Sequence, residues 1–186
     1  MNWYCDVAPG HPWHGPYHDE EYGFPLDDDR ALFERLCLEI FQAGLSWLIV
    51  LKKREALRRA FGDFEPTAVE AYAEADIARL MADAGIIRNR RKIEAVIENA
   101  RRLRALASQH GTFAAWLRAQ PPMAKEEWTE LFRRTFRFMG GEVVNEFLMS
   151  IGILPGAHRA DCPVQARIDA CGQPGLYDDA LDLKTK

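Results

Sequence analysis

The sequence lacks any uninterrupted apolar segment long enough to span a bilayer, and it lacks a leader with basic, apolar and small-residue parts. These absences predict a cytoplasmic protein that does not bind membranes. It has only four cysteines in 186 residues, so reduced thiols or metal ligands are expected before disulfides. A serine–histidine–aspartate arrangement, a Walker loop and a dinucleotide fingerprint are also missing, so no motif indicates those chemistries.

The charge is small in total but unevenly distributed. The net charge of −4 argues against indiscriminate nucleic-acid binding. Residues 88–104, however, contain seven arginines or lysines against two glutamates, and residues 52–59 contain five against one. This pattern indicates either one polyanion-binding face or, as is commoner for charge runs, solvated helix faces.

The hydrophobic pattern predicts an all-α fold. No segment alternates with period two, no repeat is visible, and the 48% apolar content suffices for one globular domain. One helix is expected to run from an N-cap within residues 27–29 to about residue 43, and others at residues 47–61, 66–74, 77–84, 89–109, 112–119, 125–135 and 142–151. Residues 1–26 are rich in proline and aromatics and are expected to form an ordered loop. The domain is expected to cover residues 1–162, and residues 163–186 to form a loosely packed tail.

The helix before Gly44 carries an acid in an awkward position. At 100° per residue, Glu39 falls at the edge of a broad apolar arc, whereas Glu34, Arg35 and Gln42 face away from it. Trp47 opens the next helix, just after the glycine turn. One interpretation is that Glu39 and Trp47 line the same pocket. The alternative is that Glu39 is an acid at the rim of the core, hydrogen-bonded to a backbone N–H, and that Trp47 is an ordinary core residue.

Aromatic residues extend this pocket prediction. The proline-rich segment contains Tyr17 and Tyr22, and loops seldom hold many aromatics unless these pack onto something or line a site. Aromatic walls with one acid suit a flat cationic ligand, of which a flipped, alkylated base is an example.

Two further constellations carry chemistry. Cys5 and His18 near the N-terminus, with His158 and Cys162 after the last strong helix, could complete a tetrahedral metal site; the competing ligands are His11, His14 and Cys171. The pattern alone leaves unligated surface residues as an alternative. The second constellation is a helix, a short hairpin and a second helix at residues 76–104. The N–H groups at the start of the second helix and a basic cluster beside them favour binding of the DNA backbone over plain helix packing. The cluster consists of Arg88, Arg90, Arg91 and Lys92.

Three motifs together resemble one family. H-D-x-E at residues 18–21, L-E-x-x-Q-A-G-L-S-W at residues 38–47 and G-I-I-R-x-R-x-K-I at residues 85–93 are similar to the 3-methyladenine DNA glycosylase I (Tag) family. The resemblance covers about residues 1–162. It implies a helix–hairpin–helix glycosylase fold, a structural zinc, a monomer, and monofunctional excision of N3-methyladenine from double-stranded DNA.

The resemblance also assigns roles. It implies zinc ligation by Cys5, His18, His158 and Cys162. It implies a base pocket that contains Tyr17, Glu39 and Trp47, and an apolar wedge at Gly44 and Leu45 that fills the gap left by the flipped base. The family lacks the catalytic aspartate of other helix–hairpin–helix glycosylases, and residues 109–125 here contain no Asp or Glu, so Glu39 is expected to act by binding and electrostatics.

Departures from the family pattern bear on the substrate. Val7, His14 and Tyr22 replace residues that are usually aromatic there in the family (Trp, Tyr and Trp), and residues 135–142 read TFRFMGGE without the usual leading glycine or threonine. These changes predict a divergent member of the family that excises N3-methyladenine or a related alkylated base. Two alternatives are a non-catalytic binder of damaged DNA and a helical protein–protein module with a structural zinc.

Overall fold

The structure is a computed structural model that describes residues 3–171. Regular structure in this range is helical and includes no strand, as the sequence pattern predicts. None of the helices in this range is both long and apolar enough to cross a membrane. The α-helices are α1 Tyr4–Val7, α2 His14–Glu20, α3 Asp29–Gln42, α4 Trp47–Ala60, α5 Pro66–Val69, α6 Glu74–Ala82, α7 Arg90–His110, α8 Phe113–Arg118, α9 Lys125–Thr135, α10 Gly141–Ser150 and α11 Pro163–Ala170, with a 3₁₀-helix at Gly62–Phe64.

The helices fall into two compact units. One comprises Asp27–Val144, and the other comprises the described residues on either side of it. One boundary lies between Leu26 and Asp27, and the other lies within α10. The prediction of one domain over residues 1–162 with a tail at 163–186 stays a prediction.

Helix α3 is the centre of the larger unit. It contacts α4, α7, α8 and the 3₁₀-helix, and all residues from Leu32 to Phe41 are buried. Glu34 and Arg35, which periodicity places away from the apolar arc, are therefore buried as well. Periodicity assigns one solvent face to a surface helix, but a helix that is surrounded has none. Glu34 accepts hydrogen bonds from Arg54 Nε at 2.6 Å and Arg58 Nε at 2.8 Å, which satisfy its buried carboxylate.

Local capping chemistry explains several helix boundaries. The Asp28 side chain accepts a hydrogen bond from Ala31 N–H at the start of α3, and Asn89 and Thr112 do the same for α7 and α8. The predicted helix at 66–74 is too long, because α5 ends at Val69. Helix α6 begins at Glu74, before the expected residue 77.

The expectation of a loop over residues 1–26 is wrong, and the helix at the start of the expected tail was not predicted. Residues 1–26 contain α1 and α2, and α2 tolerates Pro16 because that residue lies in the first turn, where no intrahelical N–H donor is needed. Residues 163–170 form α11, and its Val164 and Ile168 are buried with Cys162. The remainder of the expected tail, from residue 172, lies outside the described residues.

Candidate functional site

Four predicted metal ligands meet in the smaller unit. Cys5 lies in α1, His18 in α2, His158 in the segment after α10, and Cys162 at the N-cap of α11. Their ligand atoms all lie within 4.8 Å of one another. Cys162 Sγ lies 3.8 Å from His18 Nε2 and 3.7 Å from His158 Nδ1, and Cys5 Sγ lies 3.6 Å from His158 Nδ1. Two thiolates and two imidazoles at these separations can hold one metal ion.

Hydrogen bonds fix which nitrogen of each imidazole faces the cluster. His18 Nδ1 lies 2.7 Å from Asp19 Oδ1, so its N–H donates outward and leaves Nε2 as the ligand atom. His158 Nε2 donates to the Tyr22 carbonyl oxygen at 2.7 Å and leaves Nδ1 as the ligand atom. Such hydrogen bonds to the second ring nitrogen are expected of histidines that bind a metal, because they fix the orientation of the ring. Sequence reasoning missed Asp19 in this role, although the H-D dipeptide was the signal.

Burial favours neutral ligands in the absence of a cation. It raises the pKa of the Cys5 thiol and lowers the pKa of His158. Neutral imidazole is the form that binds metals, and a bound cation would oppose the effect on the thiol.

The competing ligands named from the sequence lie elsewhere. His11 Nδ1 accepts hydrogen bonds from the N–H groups of Trp13 and His14, both at 3.1 Å. His14 Nδ1 lies 3.0 Å from the Tyr4 hydroxyl, and exposed Cys171 directs its thiol to a carbonyl of its own helix. Among residues 3–171, only the predicted set of four forms such a cluster.

The tyrosines predicted for the base pocket are buried in the same unit as the cluster. Tyr17 is 3% exposed and Tyr22 is 8% exposed, and their ring centroids lie 5.7 Å apart with planes tilted by 34°. The Tyr22 hydroxyl donates to Glu146 Oε2 at 3.2 Å. Sequence reasoning did not single out Glu146.

Glu39 and Trp47 lie in the larger unit, on either side of a turn. Glu39 is only 4% exposed at the last turn of α3, and Trp47 is the first residue of α4. Gly44 between them adopts φ +81°, a left-handed conformation that glycine adopts without strain, and is exposed. The shared pocket of the two tyrosines, Glu39 and Trp47 stays a prediction.

The predicted hairpin corresponds to the turn that joins α6 to α7. Lys53 Nζ braces the turn by donating to the carbonyl oxygens of Ala84 at 3.1 Å and Gly85 at 2.8 Å. The Gly85 N–H donates to Asp83 Oδ1 at 2.7 Å. The turn that leads into α7 is therefore well defined by its own hydrogen bonds.

The four predicted DNA-binding cations of this hairpin differ in environment. Arg88 and Arg91 are exposed and make no hydrogen bond or ion pair within residues 3–171. Arg90 pairs with Glu74 Oε2 and Glu94 Oε1, each at 2.7 Å, and these carboxylates hold its pKa above the usual value. Lys92 is buried, which the sequence pattern did not predict. Contact of these residues with DNA stays a prediction.

Comparison with known proteins decides the family. The model of the methyladenine glycosylase family matches residues 8–128. The chain belongs to this family. Among curated members, DNA-3-methyladenine glycosylase 1 of Escherichia coli (strain K12) is 36% identical, over 81% of this chain and 90% of its own. DNA-3-methyladenine glycosylase of Haemophilus influenzae is also 36% identical, over 82% of this chain and 95% of its own.

Solved structures of family members share the fold. 3-Methyladenine DNA glycosylase I (TAG) of Staphylococcus aureus superposes with a TM-score of 0.76 at 35% identity, and the match covers 87% of this chain and 95% of that one. A tyrosine-to-phenylalanine variant of 3-methyladenine DNA glycosylase I in complex with 3-methyladenine gives the same score and identity, over 88% and 97%. The structural match to this chain thus covers nearly the whole length of each of these relatives.

Proposed function

We propose that this methyladenine glycosylase family member is a monofunctional DNA glycosylase that hydrolyses the N-glycosidic bond of N3-methyladenine, or a related alkylated purine, in double-stranded DNA. The observation that carries the proposal is the match, along 81–88% of the chain, to relatives that are named for this activity. The removal of such a base is the first step of base excision repair.

The chemistry places modest demands on the protein. N3-methyladenine is cationic, so its glycosidic bond is weakened before the enzyme acts. Glu39 is buried at the end of α3, where a carboxylate has a strong electrostatic effect because water is largely excluded. In the proposal Glu39 accepts hydrogen bonds from the base and stabilises the oxocarbenium-like transition state. No conventional general base is assigned, since residues 109–125 contain no Asp or Glu.

Aromatic rings complete the proposed base pocket. Tyr17, Tyr22 and Trp47 would contact the faces of the flipped base, and a cationic purine is attracted by the negative face of an aromatic ring. A tyrosine-to-phenylalanine and a glutamate-to-glutamine variant have been solved among the relatives, and these are the residue types proposed here for binding.

DNA would be held by the wedge and the hairpin. Leu45 follows exposed Gly44 at the tip of the turn between α3 and α4, where an apolar side chain can replace lost base stacking. Arg88 and Arg91 are exposed cations at the N-terminus of α7, and this helix end favours a phosphate. On this basis the α6–α7 pair is proposed as a helix–hairpin–helix motif.

The metal in the four-ligand cluster is proposed to be a structural zinc held by Cys5, His18, His158 and Cys162. Bonds of about 2.3 Å to sulfur and about 2.0–2.1 Å to nitrogen in a tetrahedron separate the two ligand types by about 3.6 Å. Three of the four sulfur–nitrogen separations here are 3.6–3.8 Å, and all four ligand atoms lie within 4.8 Å of one another, so the donor set fits zinc. Bound zinc would tie α1 and α2 to the segment that begins α11.

The preferred lesion is the open part of the proposal. Val7, His14 and Tyr22 depart from the family pattern, and these changes support a divergent member that acts on another alkylated base, or weakly on N3-methyladenine. The alternative from a different class is a non-catalytic binder of damaged DNA, against which the buried Glu39 argues.

Base release from methylated duplex DNA, resolved by chromatography, tests the function. The wild type should release N3-methyladenine, and Glu39→Gln should release it about a hundredfold more slowly, as when one preorganised electrostatic group is removed. Glu142→Gln, at a glutamate with an 86% exposed side chain, is the matched control and should behave as wild type. If the wild type binds DNA but releases no base from any alkylated duplex, the enzyme proposal is wrong.

A further inference from the structure

The turn between α3 and α4 is restrained by its own residues. Leu45 N–H donates to the Gln42 carbonyl oxygen at 2.6 Å, and Gln42 Nε2 donates to the Leu45 carbonyl oxygen at 3.0 Å. Gly44 supplies the left-handed residue that such a tight reversal requires. We call residues 43–46 the wedge turn, after the proposed role of Leu45.

A second restraint on the wedge turn comes from α7. The buried Lys92 ammonium donates to the carbonyl oxygens of Phe41 at 2.8 Å and Ala43 at 2.6 Å. These carbonyls lie at the C-terminal end of α3, where helix carbonyls lack intrahelical partners and carry partial negative charge. Burial lowers the pKa of Lys92, and the two carbonyls oppose this effect by stabilising the charged form.

An aromatic side chain covers the same ammonium. The Phe138 ring centroid lies 5.8 Å from Lys92 Nζ, within the range of a cation–π contact. Phe138 adopts φ +65°, a conformation that is strained for a non-glycine residue and that persists only where the surrounding structure imposes it. Lys92 thus has three partners inside the protein and, at 4% exposure, little surface to offer a phosphate.

We propose that Lys92 is a positioning residue, which fixes the wedge turn and the end of α3 that carries Glu39 relative to the basic hairpin, and that it does not bind DNA phosphate. The inference rests on the proposed function. Lys92 lies in the first turn of α7, next to the exposed Arg91, so one rigid helix end carries both a DNA-facing cation and the restraint on the wedge turn. Glu39 belongs to the same restraint, since its carbonyl accepts the Ala43 N–H at 3.2 Å.

The consequence is a separation of two kinetic quantities. A lysine that contacts phosphate contributes to DNA affinity and to its salt dependence. A lysine that positions the wedge turn and Glu39 contributes to the rate of excision from the bound complex, because misplacement by a fraction of an ångström to one ångström is costly to catalysis. Lys92→Met keeps the length and the apolar stem of the side chain and removes the ammonium, so it distinguishes the two roles.

The experiment measures single-turnover base release with enzyme in excess over methylated duplex, and anisotropy titrations of undamaged duplex at several salt concentrations. We expect Lys92→Met to slow release at least tenfold while the dissociation constant and its salt slope stay within twofold of wild type. The matched control is Lys125→Met. Lys125, the first residue of α9, pairs through Nζ with Glu142 Oε1 at 3.4 Å, so this variant removes an ammonium outside both the hairpin and the wedge turn and should retain the wild-type rate.

Other results would overturn the inference. If Lys92→Met releases the base at the wild-type rate, Lys92 is dispensable for excision. If Lys92→Met instead binds the duplex more weakly and with a smaller salt slope, as Arg91→Met should, Lys92 is a phosphate contact. If circular dichroism shows that Lys92→Met is unfolded, Lys92→Arg replaces it, because it keeps the charge but cannot reproduce the geometry of a compact ammonium. Slower release at unchanged affinity then supports positioning, and a wild-type rate refutes it. A wild type that releases no base would instead refute the proposed function.

Discussion

The hydrogen bond between His18 and Asp19 allows a quantitative test of the metal centre. The His18 side chain is 1% exposed, whereas the Asp19 carboxylate that accepts its Nδ1–H is 47% exposed. Asp19→Ala removes this acceptor without removing a ligand. Outer-shell partners of ligating histidines typically contribute 10–100-fold in metal affinity, which corresponds to about 1.4–2.7 kcal/mol of binding free energy.

The same loss should appear in protein stability, because a metal that binds only the folded state stabilises it. At a free zinc concentration of about 100 times the wild-type dissociation constant, bound zinc contributes about 2.7 kcal/mol. A variant that binds tenfold more weakly keeps about 1.4 kcal/mol at that concentration, and one that binds a hundredfold more weakly keeps about 0.4 kcal/mol. The expected decrease in the free energy of unfolding is thus about 1.3–2.3 kcal/mol.

Competition with a chromophoric chelator measures the zinc affinity, and thermal unfolding with and without the chelator measures the stability. Glu20→Ala is the matched control, since Glu20 is an exposed acid on the same helix as His18. If Asp19→Ala binds zinc within about threefold of both the wild type and Glu20→Ala, well below the 10–100-fold expected, the role of Asp19 in orienting His18 is refuted. If the wild type binds no zinc, the proposed metal is wrong.

Two stability predictions concern positions away from the ligands. Asp29→Ala should lower the free energy of unfolding by about 2 kcal/mol, as measured by urea denaturation, because its carboxylate accepts the N–H groups of the first two residues of α8 at 2.9 and 3.1 Å; an unchanged midpoint would contradict this. Gly152→Ala should cost about 2 kcal/mol or more, since its φ is +75° and its Cβ would lie 2.7 Å from the Gly23 carbonyl oxygen. Gly140→Ala, where a Cβ meets nothing within 4 Å, should leave the melting temperature unchanged, and an equal decrease in both variants would refute the steric argument.

Much of the fold could be read from local signals. Helix α9 occupies the residues expected from the pattern. The ends of α3, α4 and α7 lie within one or two residues of the ends expected for them. Caps such as Asp28 and Asn89 act through hydrogen bonds to residues three positions away, so the sequence alone contains both partners. The four ligands were also identified correctly as a set that comes together, because the motifs around them resemble one family.

The same local reasoning failed where its rules have exceptions. Prolines near the N-terminus suggested a loop, but a proline in a first helical turn does not interrupt a helix, and α2 contains one. Helix α11 was missed for the related reason that Pro163 is its first residue. Proline position relative to a helix start, and not proline count, decides the outcome.

Tertiary structure alone decided the environment of each side chain. Nothing in the sequence indicated that Glu34 would be buried between Arg54 and Arg58, or that Lys92 would differ from its exposed neighbours Arg88 and Arg91. Periodicity gives the direction of a side chain from its own helix, but its exposure and hydrogen-bond partners depend on which elements pack opposite. The sequence therefore determined most of the long helices, the family and the four residues of the Cys/His cluster, whereas packing alone made Lys92 an internal partner of the wedge turn, 49 residues distant from Ala43 along the chain.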